Sequence, residues 1–125
     1  MDSSAYVRLS LREPGEDALR SELAGWSGWV SSMLLSVEAI RACARYGPAH
    51  AARAAAGLDG IGLLAIDSGI VAAAARLQPP ALRSLDAIHL ATALSLGDDL
   101  GVLIAYDARL LQAARQHGIP VAEPR

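Results

Sequence analysis

The chain has 125 residues and a mass of 13.0 kDa, enough for one domain spanning residues 1–125 with a core of its own. Its formal net charge of −2 excludes the broad basic footprint of a protein that coats duplex nucleic acid. Arginine is the only long basic residue, so chemistries that depend on lysine, such as a phosphate-binding loop ending G-K-[ST] or a Schiff base, are closed to it.

From the N-terminus, Ala5, Val7, Leu9 and Leu11 have a spacing open to strand or helix, read as a short helix that Pro14-Gly15 ends. Residues 16–23 form a second helix, opened by acids and stopped by Gly25. Residues 29–33 read as a short strand. A helix from about Leu34 to Tyr46 follows, with Leu34, Val37, Ile40 and Ala44 inward and Gly47-Pro48 at its end. Alanine propensity predicts another helix over 49–58. Residues 61–66 read as a buried strand, and Asp67 or Ser68 is placed to cap a helix over 69–77. After the break at Pro79-Pro80, Ser84 is expected to cap a periodic helix with Leu85, Ile88, Leu90, Ala91 and Leu94 inward, ended by Gly97. Residues 102–105 suit a strand buried on both faces. Residues 108–117 form a last helix before Gly118, and 119–122 a last strand. This alternation predicts an α/β fold of three layers, a central parallel sheet flanked by helices on both faces.

The longest apolar stretch, 61–75, is broken by Asp67, Ser68 and Gly69 and falls short of the roughly 20 residues a spanning helix needs. An acid stands at position 2, where a signal peptide carries positive charge, so no membrane association and a cytoplasmic location are expected. Cys43 is the only cysteine, which excludes an internal disulfide and suits the inner face of a helix.

In a parallel α/β sheet, function gathers beyond the carboxyl ends of the strands. Asp107 stands there, after Val102-Leu103-Ile104. Asp86 lies in the first turn of an apolar helix, Glu38 in the first half of another, and Asp2 just ahead of Ser3-Ser4. Each has an ordinary reading alone: a helix-dipole acid, a good helix former, a cap, a solvated end. Together, four converging carboxylates would repel unless a cation neutralised them. A hard divalent ion such as Mg²⁺ or Mn²⁺ does so, and it can activate water against a phosphodiester.

The residues around these acids resemble the motifs of PIN domains, and in particular the VapC toxins of type II toxin–antitoxin modules. Asp2-Ser3-Ser4-Ala5 with Tyr6-Val7-Arg8-Leu9 looks like the family's opening motif, and Ser36-Val37-Glu38-Ala39-Ile40-Arg41 like its second. The stretch Leu82-Arg83-Ser84-Leu85-Asp86-Ala87-Ile88-His89-Leu90-Ala91-Thr92-Ala93 is very similar to the third and most distinctive. Ala105-Tyr106-Asp107-Ala108-Arg109-Leu110 matches the fourth.

The resemblance implies a ribonuclease toxin in which Asp2, Glu38, Asp86 and Asp107 are both catalytic and the ligands of Mg²⁺ or Mn²⁺. Water activated by the metal attacks RNA, leaving a 5′-phosphate and a 3′-hydroxyl. Ser4 would stand behind the ligands and orient an acid or a water. It further implies RNAs of the translation machinery, chiefly tRNA, as targets, a VapB-type antitoxin as partner, and a homodimer.

Two departures stand out. Members usually carry apolar residues before the first Asp, forming the central strand, whereas only Met1 precedes Asp2 here. Either translation starts upstream of Met1 or the central strand is clipped, and a clipped strand would leave its neighbours' edges unpaired. The position before Tyr106, often a hydroxyl residue in the family, is Ala105, which removes a hydrogen bond behind the ligands.

Other features carry ordinary readings. Gly25-Trp26-Ser27-Gly28 lacks the G-x-S-x-G pattern of a serine hydrolase. His89 reads as a core histidine, His50 and His117 as surface residues, and Asp67 as a helix cap. Trp26 and Trp29 are expected to be buried against the sheet or a partner rather than stacked on bases. The alternative function is a catalytically silent PIN-like module that binds a protein partner. A phospho-aspartate receiver would need a lysine, which is missing.

Overall fold

The computed structural model describes residues 1–125. In chain order the elements are α1 (Ser3–Leu11), α2 (Glu16–Ala24), β1 (Val30–Ser32), α3 (Leu35–Ala44), α4 (Pro48–Gly57), β2 (Gly62–Leu64), α5 (Ser68–Ala75), α6 (Ser84–Ser95), β3 (Leu103–Ile104), α7 (Ala108–Gln116) and β4 (Val121–Ala122). The expected alternation of helix and strand is present throughout, with boundaries displaced by a few residues.

Local chemistry explains several of the ends. Asp2, in extended conformation, caps α1 by accepting from the Ala5 N–H. Asp67 caps α5 through the Ile70 N–H at 2.8 Å, and Pro48 opens α4 at a position where its missing N–H costs nothing. Gly118, at φ 76°, lets the chain leave α7 in the left-handed region. Ser84 is not the cap of α6, as expected, but its first helical residue. Arg83 holds the cap position without a side-chain bond there, because a guanidinium has only donors and cannot accept from the first N–H groups.

The single continuous sheet expected from the sequence is divided into two parallel pairs. β1 pairs with β2, Val30 opposite Gly62 and Ser32 opposite Leu64. β3 pairs with β4, Leu103 opposite Val121. Met1 and Asp2 run between the pairs: the Met1 nitrogen donates to the Val30 carbonyl at 2.7 Å, and the Ser31 hydroxyl donates to the Met1 carbonyl. On the other side the Asp2 N–H donates to the Ile104 carbonyl at 3.1 Å. Two residues are too few to form a ladder along the flanking strands. Between the halves a cavity of about 300 Å³ remains, bounded by Met1, Trp26, Val30, Leu103 and Ile104 among others.

Helices cover both faces of this divided sheet. Successive strand residues point to opposite faces, and Leu103 joins a cluster with Leu90, Leu110 and Leu111 of α6 and α7. Its neighbour Ile104 joins Ala5, Leu19 and Leu23 of α1 and α2. A third cluster, Tyr6, Leu35, Ala39, Cys43 and Ala54, locks α1 to α3 and α4. Tyr6 adds a hydroxyl bond to the Ala54 carbonyl.

Four packing expectations need correction. In α3 the buried stripe is Leu35, Ala39 and Cys43, while Val37 is 56% exposed; the helix is rolled by a step so that small residues meet α1 and α4. In α6, Leu85 and Leu94 are exposed and Thr92 lies inside with Leu90 and Ala91, while His89 is buried as expected. Trp26 and Trp29 remain 40% and 38% exposed, the first lying over Gly101 and the second held by its Nε1–H to the Leu23 carbonyl. β2 is only partly covered, since a strand with a single neighbour is an edge.

Candidate metal centre

Each of the four acids begins a helix or lies in its first turn, so each sits where backbone N–H groups and the dipole favour negative charge. Asp2 is the most enclosed, 4% exposed. The Ser4 hydroxyl lies 2.7 and 2.9 Å from its two oxygens and the Ala5 N–H 3.1 Å from one of them. Burial pushes this carboxyl up from its ordinary value, against the Ser4 and Ala5 bonds and the nearby positive charges, which pull it down. The Ser4 oxygen also accepts from the Tyr106 N–H at 2.9 Å. One side chain thereby ties Asp2 to the residue beside Asp107.

Glu38, in the first turn of α3, accepts from the Ser3 hydroxyl at 2.6 Å, and its Oε1 lies 2.7 Å from His89 Nε2. Ser3 and His89 are themselves 3.3 Å apart. Burial alone would raise the Glu38 carboxyl, but the bonds from His89 and Ser3 and the charges of His89 and Arg83 outweigh it and hold it low. His89, buried and one helical turn beyond Asp86, therefore joins α6 to α3 and α1.

Asp107 caps α7, its Oδ1 accepting from the Arg109 and Leu110 N–H groups at 2.9 and 3.0 Å. Its Oδ2 accepts from Arg83 Nη2 at 2.9 Å, while Arg83 Nε donates to Asp86 Oδ2 at 3.0 Å. One guanidinium thus spans two carboxylates from α6 and the start of α7. These contacts hold the Arg83 guanidinium above its ordinary value, the Asp86 bond contributing most.

The acids fall into one connected neighbourhood: Asp86 and Asp107 share Arg83, Glu38 meets α6 through His89, and Asp2 meets the Asp107 segment through Ser4 and Tyr106. No group of three His, Cys, Asp or Glu side chains stands ready-made to grip a metal, and each acid rests on an internal partner. The donors themselves fit Mg²⁺ or Mn²⁺: hard carboxylate oxygens from several elements, two already bridged by one cationic group. The sheet cavity is not this site; of the residues named here it reaches only His89.

The Ser4 hydroxyl lies against the Asp2 carboxylate. Three participants escaped the sequence reading. Ser3 passed as part of the opening motif and Arg83 as an ordinary residue of the third, while His89 is the core residue expected with an unforeseen bond to Glu38. Arg83 and His89 flank Asp86 by three residues on either side, the spacing at which helical side chains meet, and that spacing was the available signal.

The PIN domain model matches residues 1–121 of the chain. Ribonuclease VapC46 of Mycobacterium tuberculosis is 44% identical, over 99% of this chain and 95% of that protein. Ribonuclease VapC47 of the same species is 40% identical over the same shares, and Ribonuclease VapC35 is 38% identical, again over 99% and 95%. Four acids at the starts of helices around one end of a parallel α/β sheet agree with this likeness, and the chain belongs to the PIN-domain family.

Proposed function

We propose that the chain is a single-domain, Mg²⁺- or Mn²⁺-dependent endoribonuclease of the VapC type, with Asp2, Glu38, Asp86 and Asp107 as its catalytic metal ligands. The observation that carries this is that four acids from separate stretches of sequence are tied to neighbouring elements through Ser4, Ser3, His89 and Arg83. Relatives named as ribonucleases over nearly their whole length support the same activity. When bound, the ion supplies positive charge toward the phosphodiester and makes a water more acidic.

The protein's own groups prepare that site. Ser4 fixes the direction of the Asp2 carboxylate, Ser3 and His89 keep Glu38 ionised and aimed, and the α7 N-terminus orients Asp107. An acidic protein handles RNA in this way because the ion provides the positive charge that the chain lacks. The wider biology follows from the VapC likeness: RNA of the translation machinery as substrate, with tRNA foremost, growth inhibition, silencing by a VapB-type antitoxin, homodimers, and work in the cytoplasm. No helix is long and apolar enough to cross a membrane.

Purified protein should cleave RNA with Mn²⁺, stop with EDTA, and lose more than about 100-fold of its rate in Asp86→Ala, beyond the usual cost of losing a group behind a metal ligand. Cleavage that persists in that variant and resists EDTA would overturn the mechanism. One observation favours the rival, a silent protein-binding module: all four acids are satisfied internally. No heat on titration with Mn²⁺ and no cleavage would decide for that reading.

A further inference from the structure

We propose that Arg83 is the resident counter-cation of the acidic site, holding Asp86 and Asp107 together until a divalent ion displaces it. This rests on the metal-centre reading above and adds to it a competitor built into the chain. The two Oδ2 atoms bound by Arg83 belong to separate helices, 21 residues apart in sequence at Asp86 and Asp107. Two carboxylates so close repel each other unless a positive charge stands between them. In this structure the guanidinium is that charge.

Arg83 is also the member of the trio free to leave. Its side chain is 62% exposed, against 14% for Asp86 and 29% for Asp107. Asp107 is further fixed by the α7 backbone. An ion held by Asp86 and Asp107 would compete with Arg83 for their negative charge, and two cations in one place repel, so binding is an exchange: metal in, guanidinium out. Exposed ion pairs are individually weak, so displacing this pair of contacts raises the Mn²⁺ concentration needed by about tenfold.

The test is calorimetric titration of Mn²⁺ into the full-length protein and three variants, with melting curves to show that each is folded. Arg83→Gln is expected to bind Mn²⁺ about tenfold more tightly than wild type. Arg83→Lys, which keeps the charge but loses the fork that spans both acids, should fall between them. Arg109→Gln removes a nearby exposed charge that makes no ion pair with these acids and should leave affinity within about twofold. Equal or weaker binding in Arg83→Gln overturns the counter-cation role while the metal centre stands. Equal tightening in Arg109→Gln also overturns it, by reducing the effect to net charge. No heat in wild type or any variant removes the metal centre itself, and the competitor with it.

Discussion

Ser4→Ala separates a hydroxyl that orients an acid from one that merely decorates a helix. The Ser4 oxygen has two partners, the Asp2 carboxylate and the Tyr106 N–H. A hydrogen bond to a charged group is worth about 1.5–3 kcal/mol, and a stranded backbone N–H costs about 1–3 kcal/mol. Ser4 is only partly buried, so water recovers part of this, and alanine returns up to about 0.5 kcal/mol through helix propensity. The expected net loss is about 2–3 kcal/mol, or roughly 10 °C in melting temperature for a domain of this size.

Urea unfolding of metal-free protein measures this directly, with Ser36→Ala as control. Ser36 bonds only within its own turn, to the exposed Met33 carbonyl, so it should cost less than about 0.5 kcal/mol. The same change removes a bond that holds the Asp2 carboxyl down, so Mn²⁺ binding should weaken alongside stability. A loss in Ser4→Ala no greater than that in the control would refute the link between Asp2 and the Tyr106 segment.

Two more outcomes follow from the Asp2 carboxyl and the Gly101–Trp26 contact. The folded protein raises the Asp2 carboxyl above its ordinary value of 3.8, so the native state holds that proton more tightly than the unfolded chain. Its contribution to stability is present at low pH and is lost as pH rises from about 3.8 through the folded value. Asp2→Asn keeps the cap and removes that loss, so in EDTA it should melt above wild type at pH 7 and lose its advantage as pH falls; a lower melting temperature at pH 7 refutes the burial argument. At Gly101 an added methyl would run into the Trp26 ring, so Gly101→Ala should push the indole outward, redden tryptophan emission and cost about 1–3 kcal/mol. Unchanged emission would refute that contact.

Much of this molecule was open to sequence reasoning because the signals were local. Asp67 as a cap, Gly118 as a stop, Cys43 as a core residue and the short apolar strand before Asp107 each depend on neighbours within a few positions. The helix faces were read less well. Val37, Leu85 and Leu94 look like core by hydropathy, yet the helices turn Ala39 and Thr92 inward instead. Which stripe is buried depends on the shape of the opposing element, and small residues allow closer approach. The sheet itself does not cover the tryptophans fully.

The residues themselves determined an α/β fold and the PIN-type motifs around Asp2, Glu38, Asp86 and Asp107. Only the tertiary structure decided that the sheet opens into two pairs on either side of Met1 and Asp2. It alone also set Glu38 against His89 and stretched Arg83 from Asp86 to Asp107. Those pairings join residues 51 and 24 positions apart, and a distance of that kind leaves no trace in local periodicity, because it is fixed by how whole helices pack.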